Sequence, residues 1–246
     1  MAKFAVILPA AGKSSRFGDK KKKIFLDLKG RAVWLRAAEH FFNRDDVSQT
    51  LIAIAPEDEE MFKERYAPNL AFSNIEIVLG GANRADSVRN ALARVRADVE
   101  FVAVHDAARP LLVPDWIDAV FREAEKTGAA IPGVRVTSTL KRVGQGGQIV
   151  ETVPRDELWE AQTPQVFRRD WLLEAYAQLD RLVPTDEAQM FEKLGRPVSV
   201  VEGSPLNIKI TTQQDFRLAE AALDALPKPK GLRALHPFSD EDPRFL

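Results

Sequence analysis

The chain has 246 residues, of which 45% are apolar and 29% are charged, and its formal net charge is -1 at pH 7. This balance is ordinary for a globular protein with one sizeable core, and it excludes a whole-molecule attraction to nucleic acid or anionic membrane. The absence of cysteine excludes disulfides and thiolate metal sites. The first apolar run, Phe4–Leu8, is too short to span a bilayer and continues into charged sequence, so we expect a buried strand, no signal peptide and a cytoplasmic location.

Short apolar runs alternate with segments of helical periodicity along the chain. The predicted strands are Phe4–Leu8, Thr50–Ala55, Ile75–Leu79, Phe101–Val104, Ala129–Val134 and Pro197–Val201. The predicted helices are Val33–Phe42, Asp86–Ala97 and Pro114–Thr127. Several strands are almost continuously apolar, as expected of strands covered on both faces. The alternation predicts an α/β fold with a doubly wound, mostly parallel sheet.

Two segments depart from this alternation. Val136–Val153 contains two short strand patterns around a glycine-rich turn, which predicts a β-hairpin arm inserted into the α/β domain. After Leu226 the chain becomes rich in proline and charge and is predicted to be a tail. We therefore expect one domain over residues 1–226, with the arm at about 136–153, and a tail over 227–246. Between the arm and the tail, Thr185 and Thr212 are each placed to cap a helix.

The loop after the first predicted strand combines small residues with cations, and reads PAAGKSSRFGDKKKKIFL from Pro9. A P-loop needs a glycine five positions before its Gly-Lys-Ser, and that position is Ile7 inside the strand, so a P-loop is excluded. Small side chains at 10–12 still allow backbone N–H groups to approach an anion at the carboxyl edge of a parallel sheet. Arg16 and one of Lys20–Lys23 would then supply full charges. The alternative is a solvated basic loop that binds nothing.

Six stretches of the sequence, in order, resemble one known family. They are PAAGKSSRFG followed by KIFL, GGANRADSVRNAL, VHDAARP, TVPRDELWEAQTPQ, TDEA and VEGSPLNIKIT. Together they resemble the cytidylyltransferases of the 2-C-methyl-D-erythritol 4-phosphate type, from about residue 4 to residue 226. The family pattern has proline, lysine and glutamine where this chain has Lys22, Lys23 and Ile24. That departure leaves open which of the four lysines is catalytic.

The resemblance implies a Rossmann-like nucleotidyltransferase that acts as a homodimer, with the arm embracing the second subunit. The reaction would transfer CMP from CTP to 2-C-methyl-D-erythritol 4-phosphate, release pyrophosphate and require Mg²⁺ or another divalent cation. It would serve non-mevalonate isoprenoid precursor synthesis. The nucleophile, a phosphate oxygen, already carries negative charge, so the site must supply positive charge and positioning rather than a general base.

The resemblance also assigns the site residues. Arg16 and Lys23 would be catalytic, because they would grip the triphosphate and stabilise charge around the α-phosphorus. The residues that would bind the nucleotide are Pro9, Ala10, Ala11, Gly12, Gly81, Ala82 and Ser87. The residues that would contact the acceptor substrate are Asp106, Arg109, Thr139, Arg155, Thr163, Thr185 and Lys209. Gln165 would line the same region, and His105 would orient its loop.

For several of these residues the sequence alone supports a structural interpretation as well. A carboxylate beside a triphosphate is unfavourable unless a metal lies between them. Asp106 is therefore predicted to bind Mg²⁺, whose remaining ligands would include the substrate phosphates. Its alternative is an ion pair with Arg109 that closes a turn. Asp86 and Ser87 could cap the next helix. Lys209, predicted to end a strand, could be a lysine of an edge strand.

Two other functions remain open at this point. A cytidylyltransferase that uses ribitol 5-phosphate would resemble this chain over the same motifs. A CTP-binding regulator without turnover is suggested only by the altered residues beside Lys23. A role in binding DNA or RNA is disfavoured, because the lysines form one local run with no aromatic stacking platform among them.

Overall fold

The structure is a computed structural model that describes residues 2–18, 22–178 and 183–227; the side chain of Arg16 and the predicted tail beyond 227 lie outside the description. The strands are β1 (Phe4–Pro9), β2 (Val47–Ile54), β3 (Ile75–Leu79), β4 (Phe101–Val104), β5 (Ala129–Arg135), β6 (Leu140–Val143), β7 (Ile149–Val153), β8 (Trp159–Ala161), β9 (Gln165–Arg168) and β10 (Ser199–Glu202). The helices are α1 (Val33–Glu39), α2 (Glu59–Arg65), α3 (Ala67–Ser73), α4 (Arg84–Leu92), α5 (Pro114–Thr127), α6 (Arg169–Ala177), α7 (Ala188–Lys193) and α8 (Gln213–Ala222). None of the helices in these ranges is long and apolar enough to cross a membrane.

The described strands form a mixed sheet in the order β10-β5-β9-β4-β1-β2-β3, with β8 paired to β5. The pairs β1–β2, β1–β4, β2–β3 and β5–β10 are parallel, whereas β9 and β8 run antiparallel to their neighbours. This confirms the predicted α/β class and the mostly parallel sheet. The antiparallel strands β8 and β9 were not predicted, because they are short and begin within motifs that the resemblance assigns to ligand binding.

Alternation along the strands explains why helices cover both faces. In β1, Phe4, Val6 and Leu8 belong to one core, together with residues of α1, α2 and α5. Ala5 and Ile7 point the other way, into a second core with residues of α4, α6 and α7. Both faces of the strand are therefore buried, as its continuous apolar run predicts.

Helix ends follow the sequence signals in some places and not in others. Pro114 opens α5, and Gly128 ends it with φ +87°, where an added Cβ would lie 2.3 Å from the Trp171 ring. Thr212 caps α8 in a capping box with Asp215, as predicted. The prediction for Thr185 is wrong, because α7 begins after Glu187 and no side chain caps it in the N-cap position.

The arm is a separate two-stranded sheet of β6 and β7, closed by the glycine-rich turn. It is a hairpin, as predicted, although its strands are shorter than the predicted segment. Its residues are almost all exposed, including Val143 (53%), Ile149 (64%) and Val150 (64%). A lone hairpin is only marginally stable in water and needs a surface to pack on. Within the described residues, the side chains of the arm stay exposed and do not pack on such a surface.

Candidate active site

A cleft of about 410 Å³ lies at the carboxyl edge of the parallel strands. The loops that follow β1, β2, β3 and β4 meet there, because parallel strands present their carboxyl ends at the same edge. The predicted site residues that line it are Pro9, Ala10, Ala11, Gly12, Lys23, Gly81, Ala82, Ser87, Asp106 and Lys209. Thus both predicted glycine loops and the predicted charged residues Lys23, Asp106 and Lys209 come together in one place.

A larger cavity, of about 520 Å³, lies at the opposite edge of the sheet, near the starts of β4 and α6. Acidic and basic side chains are balanced along it: Glu100, Glu125 and Asp170 against Lys126, Arg168 and Arg169. It contains none of the predicted site residues. The chemistry therefore favours the smaller cleft.

The first loop is attached to the sheet at one end and to the lysine run at the other. The backbone N–H of Ala10 donates to the carbonyl of Ala53 over 2.7 Å. Ser14 adopts a left-handed conformation with φ 54°, and its hydroxyl accepts a hydrogen bond from the backbone N–H of Lys23 over 3.2 Å. A Cβ built on Gly12 would meet no atom within 4 Å, so the cleft is open above this part of the loop. The loop is therefore anchored at both ends and open to the cleft between them.

The second loop is held by its own hydrogen bonds. Gly81 donates its N–H to the Ser87 hydroxyl over 3.1 Å, and that hydroxyl donates to the carbonyl of Asn83 over 2.9 Å. The N-cap of α4 is Asn83, whose side chain accepts from the N–H of Asp86, so the alternative in which Asp86 or Ser87 caps the helix is wrong. Glycine is required at position 81 because an added Cβ would lie 2.4 Å from the Cβ of Asp86. Ser87 therefore shapes the loop that faces the cleft.

Asp106 is the centre of a group of four charged side chains, here called the Asp106 cluster: Asp106, Arg84, Arg109 and Lys209. Its Oδ1 accepts from Arg84 Nε over 3.1 Å, and its Oδ2 lies 2.7 Å from Lys209 Nζ and 3.8 Å from Arg109 Nε. Burial alone would raise the pKa of Asp106, but Arg84 and Lys209 hold it well below its ordinary value. The carboxylate is therefore ionised at neutral pH, and the predicted Asp106–Arg109 pair is one of three contacts.

Arg84 connects the Asp106 cluster to a fully buried carboxylate. Its Nη1 and Nη2 donate to Oε1 and Oε2 of Glu187 over 2.8 and 2.9 Å, a bidentate pair. The Tyr176 hydroxyl also donates to Glu187, over 3.0 Å. Burial and the charge of Glu187 raise the pKa of Tyr176, so this donor stays protonated. Burial would lower the pKa of Arg84, but Glu187 and Asp106 raise it above its ordinary value.

His105 fixes the backbone around Asp106 rather than acting on a ligand. It is fully buried, and burial lowers its pKa to about 3, so the ring is neutral at pH 7. Its Nε2 lies 2.9 Å from the carbonyl of Arg109, which can only accept, so Nδ1 accepts from the Thr163 hydroxyl at 3.0 Å. The same hydroxyl accepts the N–H of Asp106 over 3.1 Å. Thr163 thus contacts the loop from behind and does not line the cleft.

Arg109 and Lys209 approach Asp106 from different directions. The Arg109 guanidinium is turned away from the cleft lining, and its Nη1 donates to the carbonyl of Asn207 over 2.6 Å. Burial lowers the pKa of Arg109 from its usual value. Lys209 lies in an irregular segment after β10, so the prediction that it ends a strand is wrong. That segment is joined to the Asp106 loop through a backbone hydrogen bond from Ile210 to Ala108 of 2.8 Å.

Besides Arg109 and Thr163, three more predicted acceptor contacts lie outside the cleft. Thr139 and Arg155 are exposed at the base of the arm, just before β6 and just after β7. There Arg155 Nη1 donates to the carbonyl of Thr137. Thr185 is exposed as well, and its backbone N–H donates to Gln189. The single chain therefore assembles the residues predicted for the nucleotide but leaves these acceptor contacts apart.

The lining of the cleft fits a divalent cation that is held mainly by its substrate. The described residues contain no group of three or more His, Asp or Glu side chains that could hold a metal ion by themselves. Asp106, however, faces the cleft as an ionised carboxylate, and Mg²⁺ is usually held by one or two carboxylates together with substrate phosphates. Asp106 is thus a suitable single protein ligand.

Two residues of the site were missed by sequence reasoning: Arg84 and Glu187. Both lie inside quoted motifs, GGANRADS and TDEA, but 103 positions separate them. No local spacing indicates that they pair. The only available signal was a charged residue within each motif that had no assigned role.

Comparisons with known proteins agree with the geometry. A family model described as 2-C-methyl-D-erythritol 4-phosphate cytidylyltransferase matches residues 4–225. The protein of that name from Rhodopirellula baltica is 41% identical over 234 residues, which are 91% of this chain and 96% of the relative. The one from Solibacter usitatus is 42% identical over 233 residues, 90% of this chain and 96% of the relative. The crystal structure of the protein of that name from Thermus thermophilus matches with a TM-score of 0.74 at 33% identity, over 91% of this chain and 100% of that one.

Proposed function

This chain belongs to the 2-C-methyl-D-erythritol 4-phosphate cytidylyltransferase family, and on that premise we propose how its residues divide the work of the reaction. It is a nucleotidyltransferase that transfers CMP from CTP to 2-C-methyl-D-erythritol 4-phosphate, in isoprenoid precursor synthesis. A bond forms between an oxygen of the acceptor phosphate and the α-phosphorus of CTP. The bond from the α-phosphorus to the bridging oxygen breaks, and pyrophosphate leaves with that electron pair.

The residues of the cleft suit a reaction between two anions. The nucleophilic phosphate oxygen needs no general base, and His105, the buried histidine beside the cleft, already uses both ring nitrogens in hydrogen bonds. The barrier lies in bringing negative charge onto negative charge, which cations placed in advance reduce. Lys23 and Lys209 both line the cleft.

We assign the triphosphate to the first loop and the base to the second. The backbone N–H groups of Ala11 and Gly12 would face the phosphates, whereas that of Ala10 is used in its hydrogen bond to Ala53. Lys23 and Arg16 would stabilise the charge that develops around the α-phosphorus. The loop at Gly81 and Ala82 would contact the cytosine, because its backbone is fixed by Ser87 and exposed to the cleft. Lys23 lines the cleft, whereas Lys22 makes ion pairs with Glu57 and Asp58, which disfavours Lys22 as the catalytic member of the run. Lys20 and Lys21 lie outside the described residues.

Asp106 would hold the divalent cation, Mg²⁺ in our proposal, together with the substrate phosphates. When bound, the cation would neutralise part of the phosphate charge. Asp106 also holds Lys209 at the cleft, which would keep a cation near the acceptor phosphate.

We further propose that the active form is a homodimer, in which Thr139 and Arg155 of each arm serve the site of the second subunit. The exposed apolar side chains of the arm and the absence of both residues from the cleft lining support this. Residues 1–226 would act as one catalytic domain, in the cytoplasm. Thr163 and Thr185 would act on the acceptor side, the former through the Asp106 loop.

The observation that carries the proposal is the meeting of Lys23, Asp106 and Lys209 with both glycine loops in one cleft. The test is pyrophosphate release from CTP and Mg²⁺, run in parallel with 2-C-methyl-D-erythritol 4-phosphate and with ribitol 5-phosphate. Release with the methylerythritol compound alone is expected. Release with ribitol 5-phosphate alone would show that the assigned acceptor is wrong. CTP binding without any pyrophosphate release would show that the protein binds the nucleotide but does not catalyse the transfer.

A further inference from the structure

Lys22 makes two short polar contacts at the start of the turn that carries Lys23. Its Nζ lies 2.6 Å from Asp58 Oδ2 and 2.9 Å from Glu57 Oε1. The side chains of Lys22 and Asp58 are only 18% and 13% exposed. Burial opposes the charge on Lys22, but hydrogen bonds to Asp58 and Glu57 still raise its pKa. We call Lys22, Glu57 and Asp58 the Lys22 cluster.

The Lys22 cluster joins two separate loops at the rim of the cleft. Lys22 directly precedes the short helical turn Lys23–Phe25, whereas Glu57 and Asp58 follow β2. One residue further on, the backbone N–H of Lys23 donates to Ser14 of the first loop. Ile24 and Phe25 are buried in the core beneath. The backbone of Lys23 is thus restrained by the first loop and by the core beneath it. The ion pairs of Lys22 add a connection from the preceding residue to the loop after β2.

We propose that Lys22 is a positioning residue, whose ion pairs with Glu57 and Asp58 hold the turn that carries Lys23 against the cleft. This inference rests on the proposed function, since it concerns the placement of the catalytic lysine. The backbone of Lys22 has φ −63°, the value that a proline ring imposes. The ion pairs thus restrain a residue whose backbone is already extended, directly before the turn that carries Lys23.

The competing explanation is that Lys22 only adds positive charge to an anion-binding cleft. The two explanations differ in what Glu57 and Asp58 do. Glu57 lines the cleft, so under the competing explanation its carboxylate repels CTP and removing it helps the reaction. Under our proposal the same carboxylates hold Lys22, so removing them displaces Lys23 and slows the chemical step.

The experiment compares Lys22→Ala, the double variant Glu57→Gln/Asp58→Gln and the triple variant that combines them. The matched control is Lys29→Ala, which removes a nearby lysine whose ion pair with Asp224 is exposed. The readouts are kcat and KM for CTP with methylerythritol 4-phosphate, CTP affinity by calorimetry, and thermal unfolding to confirm that each variant is folded. Wild-type turnover is measured first, because its absence would refute the proposed function rather than the role of Lys22.

We expect kcat to fall about tenfold in Lys22→Ala and by a similar factor in Glu57→Gln/Asp58→Gln, because small displacements of a catalytic group are costly. The triple variant should be no slower than either parent, since both remove the same contact. Lys29→Ala should match the wild type. A Glu57→Gln/Asp58→Gln protein that is folded and turns over as fast as the wild type, or faster, overturns the proposal.

Discussion

The cleft and the arm are built on opposite principles. Around the cleft, charged side chains are buried and paired within the chain: Glu187 is fully buried, and Asp106 contacts three cations. On the arm, charged and apolar side chains alike are exposed. In the ion pair Arg142–Glu151, the two side chains are 63% and 54% exposed. The charged groups around the cleft are thus paired within one chain, whereas the arm exposes most of its side chains.

The contrast between the cleft and the arm bears on where the two substrates would bind. The residues assigned to CTP are held by contacts that one folded chain provides, so the nucleotide half can form in a monomer. The predicted acceptor contacts Thr139 and Arg155 are exposed instead, and among the described residues Arg155 donates only to the nearby Thr137 carbonyl. Assembly would then complete the acceptor half, and each half can be tested separately.

The largest effect is expected from Glu187→Ala. Loss of this fully buried carboxylate leaves the partly buried Arg84 guanidinium with only Asp106, so the free energy of unfolding should fall by about 3 kcal/mol. Urea denaturation measures this change in the free energy of unfolding.

Tyr176→Phe removes one hydrogen bond to Glu187 and should lower the free energy of unfolding by about 1 kcal/mol. Glu151→Ala on the arm should leave stability unchanged. Equal losses at Glu187 and Glu151 would contradict the contrast between the two regions.

Lys23→Ala should reduce the rate of pyrophosphate release by about 10²–10³-fold, the usual cost of a group that stabilises charge in the transition state. The fold should survive, because Lys23 lies at the rim and its backbone hydrogen bond to Ser14 needs no side chain. Steady-state kinetics with Lys20→Ala and Lys21→Ala alongside settle the register of the run. A normal rate in Lys23→Ala together with a slow neighbour would move the catalytic role to that neighbour.

Mixing two inactive proteins tests whether the arm serves the second subunit. Lys23→Ala has a defective cleft and an intact arm, whereas Arg155→Ala has the reverse. A mixed dimer contains one intact site if the arm reaches across, so equal amounts should recover about a quarter of wild-type activity after subunit exchange. If each arm serves its own chain, the mixture stays as inactive as its components.

The smallest effect is expected from His40, which supports the loop after Arg109 through a 3.2 Å contact between its Nε2 and the carbonyl of Pro110. Burial lowers the pKa of His40 below its unfolded value of 6.5. Below pH 6.5 the unfolded chain therefore binds more protons at His40 than the folded chain does. The stability that neutral, buried His40 contributes is complete above pH 6.5 and is lost as the pH falls towards its folded pKa. His40→Gln should weaken that pH dependence by less than about 1.4 kcal/mol per pH unit. Urea denaturation at pH 7.5 and 5.5 measures the slope; an unchanged slope would contradict it.

The sequence predicted the parts of the fold that depend on local pattern. Short apolar runs located β1, β3, β4 and β5, and the proline and glycine signals placed both ends of α5. It missed β8 and β9, because strands of three or four residues carry too little pattern.

The candidate site was predicted to the extent that its residues lie in contiguous motifs. The residues assigned to the nucleotide line one cleft because parallel strands bring their loops to one edge. The pairing of Arg84 with Glu187, and the approach of Lys209 to Asp106 from an irregular segment, follow from tertiary packing. Sequence spacing holds no information about such contacts.

The close fit of the two glycine loops has a consequence for anyone who wishes to redesign this enzyme. A Cβ on Gly80 would lie 2.4 Å from the Cβ of Ala11 and 2.9 Å from the Ser87 hydroxyl. The two loops therefore cannot be varied independently. A library that enlarges the second loop to admit a different nucleobase must also diversify position 11, and substitutions at either position are expected to appear among active clones only in compensating pairs.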